Sequence, residues 1–194
     1  MTSLEHSNST SPHLPGEFGI WMFIIGDLVM FSLLFGVFMY YRADDVTTYV
    51  ESQKQLNQLY GLINTLLLLT SSWFVALGVK SARNKLLPAC ERCLALAMIC
   101  GAAFVAIKYF EYAEKFAANV TLETNDFFMY YFLMTGIHLL HVLIGIGVLF
   151  FMWHLARRVE FGDSEIIALE SGASFWHLVD ILWIVLFALL YLVR

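Results

Sequence analysis

The sequence predicts an all-α fold, a polytopic membrane protein built as one bundle of five transmembrane helices, and three observations predict it. Hydrophobic residues make up 60% of the 194 and charged residues 14%, against roughly a quarter charged in a soluble domain. The apolar residues gather into five runs, each of the roughly 20 residues a helix needs to cross the hydrocarbon, which leaves no room for a sizeable soluble module. The run that contains Thr135, His138 and His141 is too long and too apolar for a soluble protein, so two imidazoles are held in hydrocarbon. Polar side chains at that depth are expensive and usually have a partner in the bundle interior.

In chain order, residues 1–17 are polar, contain Pro12 and Pro15 and carry no Lys or Arg. They lack the charged start of a signal peptide and are expected to form a short flexible tail. Residues 18–194 are expected to form the single membrane domain, with helices over 18–41, 57–80, 89–112, 127–154 and 172–193. The polar loops between them are marked by Arg42, Asp44 and Asp45, by Arg83 to Pro88, by Asn119 to Asp126 and by Arg157 to Glu170. Cys90 and Cys93 form a Cys-x-x-Cys at the start of the third span, with Cys100 beyond it; a second ligand pair at metal-binding spacing is absent, which favours ordinary reduced residues.

The net charge of −5 arises mostly in loops and tail, so neither a basic nucleic-acid surface nor a polybasic lipid-binding patch is present. Lys80, Arg83, Lys85, Arg92, Arg157 and Arg158 fall on one side of the membrane, and Arg42, Lys54, Lys115 and Arg194 on the other. This excess places the N-terminus in the cytoplasm and the C-terminus in the periplasm. At about 1.5 Å per residue, Asp27 lies about 14 Å from the cytoplasmic end of its span, and His177 and Asp180 about 8 and 12 Å from theirs. The shared level predicts an inner-half cluster of Asp27, His177 and Asp180, with the last two on one helix face.

Each buried polar residue has a structural and a chemical reading. Asp27, the one charged residue of its span, suits an interhelical hydrogen bond or a proton-linked role. Lys108, Glu111 and Lys115 form one stripe in which Glu111 can pair with either lysine, while Glu114 falls beside it; a helix-locking ion pair is favoured over a catalytic acid, near a membrane boundary where long side chains snorkel. His138 and His141 share a face with Thr135 and Gly145, suited to close helix contact and interhelical hydrogen bonds. Metal or haem ligation by these two would need further ligands, and only His177 offers a histidine from another span. His154, Arg157 and Arg158 read as interfacial anchors, Trp21, Trp73, Trp153, Trp176 and Trp183 partly as belt residues, and Asn64 with Thr70, Ser71 and Ser72 as packing glue.

The order of these motifs resembles the cytochrome c oxidase subunit 3 family, subunit III of the haem-copper respiratory oxidases. Phe23-Ile-Ile-Gly-Asp27 looks like the family's membrane carboxylate motif, with Asp in place of the usual Glu, and Asn64-Thr65 leading to Ser71-Ser72 is similar to its next helix. Lys108 to Glu114 looks like the Glu-Tyr segment, with Glu111 at the key acid. Thr135-Gly136-Ile137-His138 through His141, Val142 and Gly145 matches a hallmark, as does Glu170 followed by Phe175-Trp176-His177-Leu178-Val179-Asp180-Ile181-Leu182-Trp183. Many members have seven spans, and this chain has no counterpart of the first two. Its compact five-span form is similar to a bacterial branch that includes short oxidase subunits III and proteins associated with nitric oxide reductase.

The resemblance implies a non-catalytic accessory subunit of a bacterial inner-membrane complex, packed against the haem-copper subunit I and other subunits. It would stabilise the catalytic subunit and support its proton uptake. It implies no cofactor on this chain, haem with copper or iron in the partner, and contact with membrane lipids that leaves room for a structural phospholipid. An assembly factor absent from the mature complex is the alternative, and a stand-alone channel, transporter or haem protein a remoter one. Oxygen or nitric oxide as substrate, and cytochrome c or quinol as donor, stay open.

Overall fold

The computed structural model describes residues 18–157 and 162–193. The expected tail over 1–17 lies outside the described residues, as do Arg158 and Arg194. The helices are α1 (Phe18–Asp44), α2 (Val46–Lys54), α3 (Gln58–Arg83), α4 (Leu87–Ala117), α5 (Asp126–Ala156) and α6 (Asp163–Phe187), the last continued by a π-helical turn over Ala188–Leu192. All but α2 are long and apolar enough to cross a membrane, which gives the five spans expected.

The helix starts follow from local chemistry. The side chains of Asp45, Asn57 and Asn125 accept from the backbone N–H groups of Thr48, Leu59 and Phe128 at 3.1, 3.0 and 2.9 Å, capping α2, α3 and α5. Pro88 sits in the first turn of α4, where a missing N–H costs nothing. The Gly162 N–H donates to Glu165 Oε2 at 2.9 Å, so α6 begins at Asp163. This corrects two expectations: the fifth helix starts nine residues before position 172, and Glu170 is helical rather than in a loop. Lys85 and Asn119, with φ of 59° and 57°, reverse the chain after α3 and α4.

α3 and α4 run antiparallel and closely packed. Gly78 lies against Cys93 and Leu94, and Ser71 Oγ donates to the Ala97 carbonyl at 2.9 Å. α5 and α6 complete a four-helix block, and α1 lies along the outside of α5 and α6. The three cysteines are free, with Cys90 buried.

The short helix α2 lies in a segment expected to be a loop. It docks over the C-terminal end of α6, where a π turn leaves carbonyls without intrahelical partners. Gln53 Nε2 donates to the Leu189 and Leu190 carbonyls at 3.1 and 3.2 Å, and Gln58 Nε2, from the start of α3, to that of Tyr191 at 2.8 Å. The added residue of the π turn also lets the consecutive Leu190 and Tyr191 both face inward.

Trp176 and Trp183 correct the belt reading, since both are fully buried. Glycines make room for Trp176: a Cβ at Gly145 would stand 2.6 Å, and one at Gly101 3.0 Å, from its ring. Trp183 meets Phe104 edge-on at 4.8 Å between centroids and donates from Nε1 to Thr65 Oγ1 at 3.0 Å.

Candidate functional site

The polar residues of the spans form three separate groups. In the first, on α4, Lys108 Nζ lies 2.9 Å from Glu111 Oε2, and both side chains are 1% exposed. The other carboxylate oxygen accepts from the hydroxyls of Tyr131 at 2.9 Å and Tyr191 at 2.5 Å. The ammonium also reaches the Tyr191 hydroxyl at 3.1 Å and lies over the ring of Trp183 at 5.0 Å. Snorkelling, expected of this lysine, is prevented because Tyr131 and Tyr191 close over it. Lys115 turns away and donates instead to the Gln55 carbonyl, while Glu114 accepts from the Tyr60 hydroxyl at 2.7 Å. A buried pair with its remaining hydrogen-bonding positions filled offsets the cost of desolvation and ties α4, α5 and the end of α6 together.

The second group joins α1 to α5. His141 Nε2 lies 3.3 Å from Asp27 Oδ2, a separation suited to an ion pair although the angle is not that of a hydrogen bond. On the other side of the ring, Nδ1 lies 2.9 Å from the Ile137 carbonyl. A carbonyl only accepts, so Nδ1 carries a proton. Nε2 faces Asp27 Oδ2, and the carboxyl oxygen can accept from it where Nε2 also carries a proton. The two side chains are 10% and 12% exposed.

The third group lies between α3 and α6. Ser72 Oγ is 2.5 Å from His177 Nδ1 and also approaches Asp180. His177 is half-buried and Asp180 is 4% exposed. Asp27 is not part of this group: the expected cluster of Asp27, His177 and Asp180 is divided, because Asp27 finds the imidazole of α5 rather than that of α6.

His138 does not join His141. Its ring packs between Phe104, at 5.8 Å, and Trp183, at 5.2 Å, and among the described residues neither nitrogen has a hydrogen bond. The interhelical hydrogen bond expected of it is replaced by aromatic packing, because rings occupy its surroundings. Thr135, on the same face, bonds the Tyr112 hydroxyl at 2.6 Å. Glu170 pairs with Arg83 at 2.7 Å near the end of α3, and Arg157 with Glu91 at 3.3 Å. Among the described residues no three His, Cys, Asp or Glu side chains converge as a metal site.

Of these partners, Tyr131, Tyr191 and Ser72 were not singled out as site residues from the sequence. A tyrosine in an apolar run looks like any other aromatic, and the only signal for Tyr191 is its place one residue after a buried leucine.

Comparison with known proteins adds to this geometry. The family model for cytochrome c oxidase subunit III matches residues 5–193. The chain is 28% identical to cytochrome c oxidase subunit 3 of Synechocystis, over 98% of this chain and 86% of that one. It is 27% identical to cytochrome bo(3) ubiquinol oxidase subunit 3 of Buchnera aphidicola, over 90% and 85%. With the cytochrome c oxidase subunit 3 of Corynebacterium diphtheriae it shares 28%, over 91% and 87%.

Proposed function

The chain belongs to the cytochrome c oxidase subunit III family, and from that premise we propose that it is a permanent, non-catalytic subunit of a bacterial inner-membrane haem-copper complex that stabilises the catalytic subunit during turnover and supports its proton uptake. The observation that carries the reading is the family match along nearly the whole chain, over residues 5–193. The internal chemistry is consistent with it. Lys108 and Glu111 have their hydrogen-bonding positions taken by tyrosines of the same chain and serve to hold helices together. Asp27 and His141 bring a carboxyl group and an imidazole together across α1 and α5, which supports a role in proton supply. Haem, with copper or iron, would be held by the neighbouring catalytic subunit, and the apolar outer faces of the helices would be covered by lipid, a structural phospholipid included, or by that subunit. The distribution of Lys and Arg supports a cytoplasmic N-terminus.

The test is the lifetime of the complex during turnover. Membranes lacking this chain should yield a complex that starts at a normal rate and inactivates after fewer turnovers, with slower proton uptake. An unchanged lifetime and uptake would remove the supporting role. The haem spectrum of the same preparation decides the branch: an oxidase shows haems a, or b with o, beside copper, and a nitric oxide reductase haems b and c.

A further inference from the structure

The seam between α3 and α6 contains polar groups that the family role does not use. Near the Arg83 end of α3 it opens into a cleft of about 190 Å³ lined by Ala76, Val79, Lys80, Arg83, Glu170 and His177, among others. Arg83 and Glu170 bond across its mouth. His177 is half-buried between this cleft and the interior. Its Nδ1 faces Ser72 Oγ at 2.5 Å. One helical turn deeper on α6 stands Asp180, 96% buried by its 4% exposure, with neither carboxyl oxygen in a hydrogen bond of normal geometry. Ser72 approaches both His177 and Asp180, but a hydroxyl has a single proton and can donate to one of them at a time.

A buried carboxylate without donors is costly, and the cost is relieved by a proton. Among the described residues Asp180 has no ion-pair partner. Asp27 of α1 is directed to His141 of α5. Lys108 of α4 is bound to Glu111, and His138 of α5 is packed against Trp183. From α3, Ser72 approaches Asp180, and Lys80 and Arg83 lie at the cleft.

We propose that His177, Ser72 and Asp180 form a proton relay that loads a buried acid, Asp180, from water in the α3–α6 cleft. A proton from cleft water binds His177 Nε2, and the proton on Nδ1 passes to Ser72 Oγ as the hydroxyl proton passes to the carboxylate. The products are neutral Asp180, intact Ser72 and His177 as its other tautomer, with hydroxide left in the cleft water for its buffer to neutralise. Rotation of the ring or return of the proton resets the tautomer. The inference concerns this chain alone and holds whichever complex the chain joins.

The test is infrared spectroscopy of the full-length chain in lipid nanodiscs, following the carboxylic acid C=O band after a switch to heavy water. Wild type should show a protonated-carboxyl band that shifts rapidly and that is missing in Asp180→Asn. Ser72→Ala removes the relay, and Ala76→Phe fills the cleft from an exposed position while leaving His177, Ser72 and Asp180 in the sequence. Both should keep the band and slow its shift by about tenfold, since exchange would then wait on local opening of the seam. A wild-type spectrum without that band, a band retained in Asp180→Asn, or wild-type exchange rates in both Ser72→Ala and Ala76→Phe would overturn the relay. If Asp180→Asn fails to fold, the two exchange rates decide.

Discussion

Lys108–Glu111 and Asp27–His141 both set an acid beside a base inside the membrane spans, and they are built in opposite ways. The first joins two groups on one helix, is sealed at 1% exposure and is held by two tyrosine hydroxyls. The second joins two helices at a more open site, at 10% and 12% exposure. Their settings differ in the same sense. In the most apolar stretch of the last span 56% of residues are buried, against 22% in that of the first. A sealed pair inside the packed block gives rigidity, whereas the pair at the peripheral helix joins two helices at a more open site.

The comparison is broken most directly at the sealed pair. Replacing Glu111 by Gln, or Lys108 by Met, leaves an uncompensated buried group and should cost about 3–5 kcal/mol, while the double variant Lys108→Met with Glu111→Gln should recover most of it. Equilibrium unfolding in mixed detergent micelles measures all three, and equal losses in single and double variants would show that the pair does not act as a unit. Gly145→Val tests the packing that surrounds this block. The added methyls meet the Trp176 ring, and overpacking should cost about 1–3 kcal/mol in the same assay. Asp27→Asn sharpens the contrast, because a partly exposed pair at the peripheral helix should contribute less than about 1 kcal/mol. A loss as large as that of Glu111→Gln would erase the distinction drawn here.

The smallest effect is expected outside the spans. Asp45 caps α2, and its bonds to Thr48 hold its carboxyl below the usual 3.8. The folded value is the lower one, so the capping contribution is complete above the unfolded value and is lost as the pH falls through the folded value. Helicity of α2 should therefore decline at acid pH in the wild type and be insensitive to that step in Asp45→Ala, as read by amide exchange over residues 46–54.

The five spans were legible because spanning a membrane demands long apolar runs, a constraint that no tertiary context overrides. Lys108 with Glu111 was within reach of sequence reasoning because both sit on one helix, three residues apart. Asp27 was identified as a buried acid, but its partner depends on how α1 is rotated against α5 and α6, and nothing within one helix reports that rotation. Depth alone suggested His177 and Asp180, and depth does not distinguish neighbours at the same level. Trp176 was read as interfacial for a similar reason: its burial depends on Gly145, 31 residues away, and on Gly101 of another helix. α2 is short, and the carbonyls its Gln53 docks on, in a π turn at the other end of the chain, lie more than 130 residues distant, beyond the reach of local pattern.

The central claim is that this chain stays in a haem-copper complex, and co-purification tests it most directly. A tagged chain is extracted from its native membrane in mild detergent, and the subunits, their ratio and the haem spectrum are determined together. The account predicts equimolar recovery with a haem-bearing catalytic subunit in an active complex. Substoichiometric recovery with inactive precursors, or isolation alone with a Soret band of its own, would contradict it.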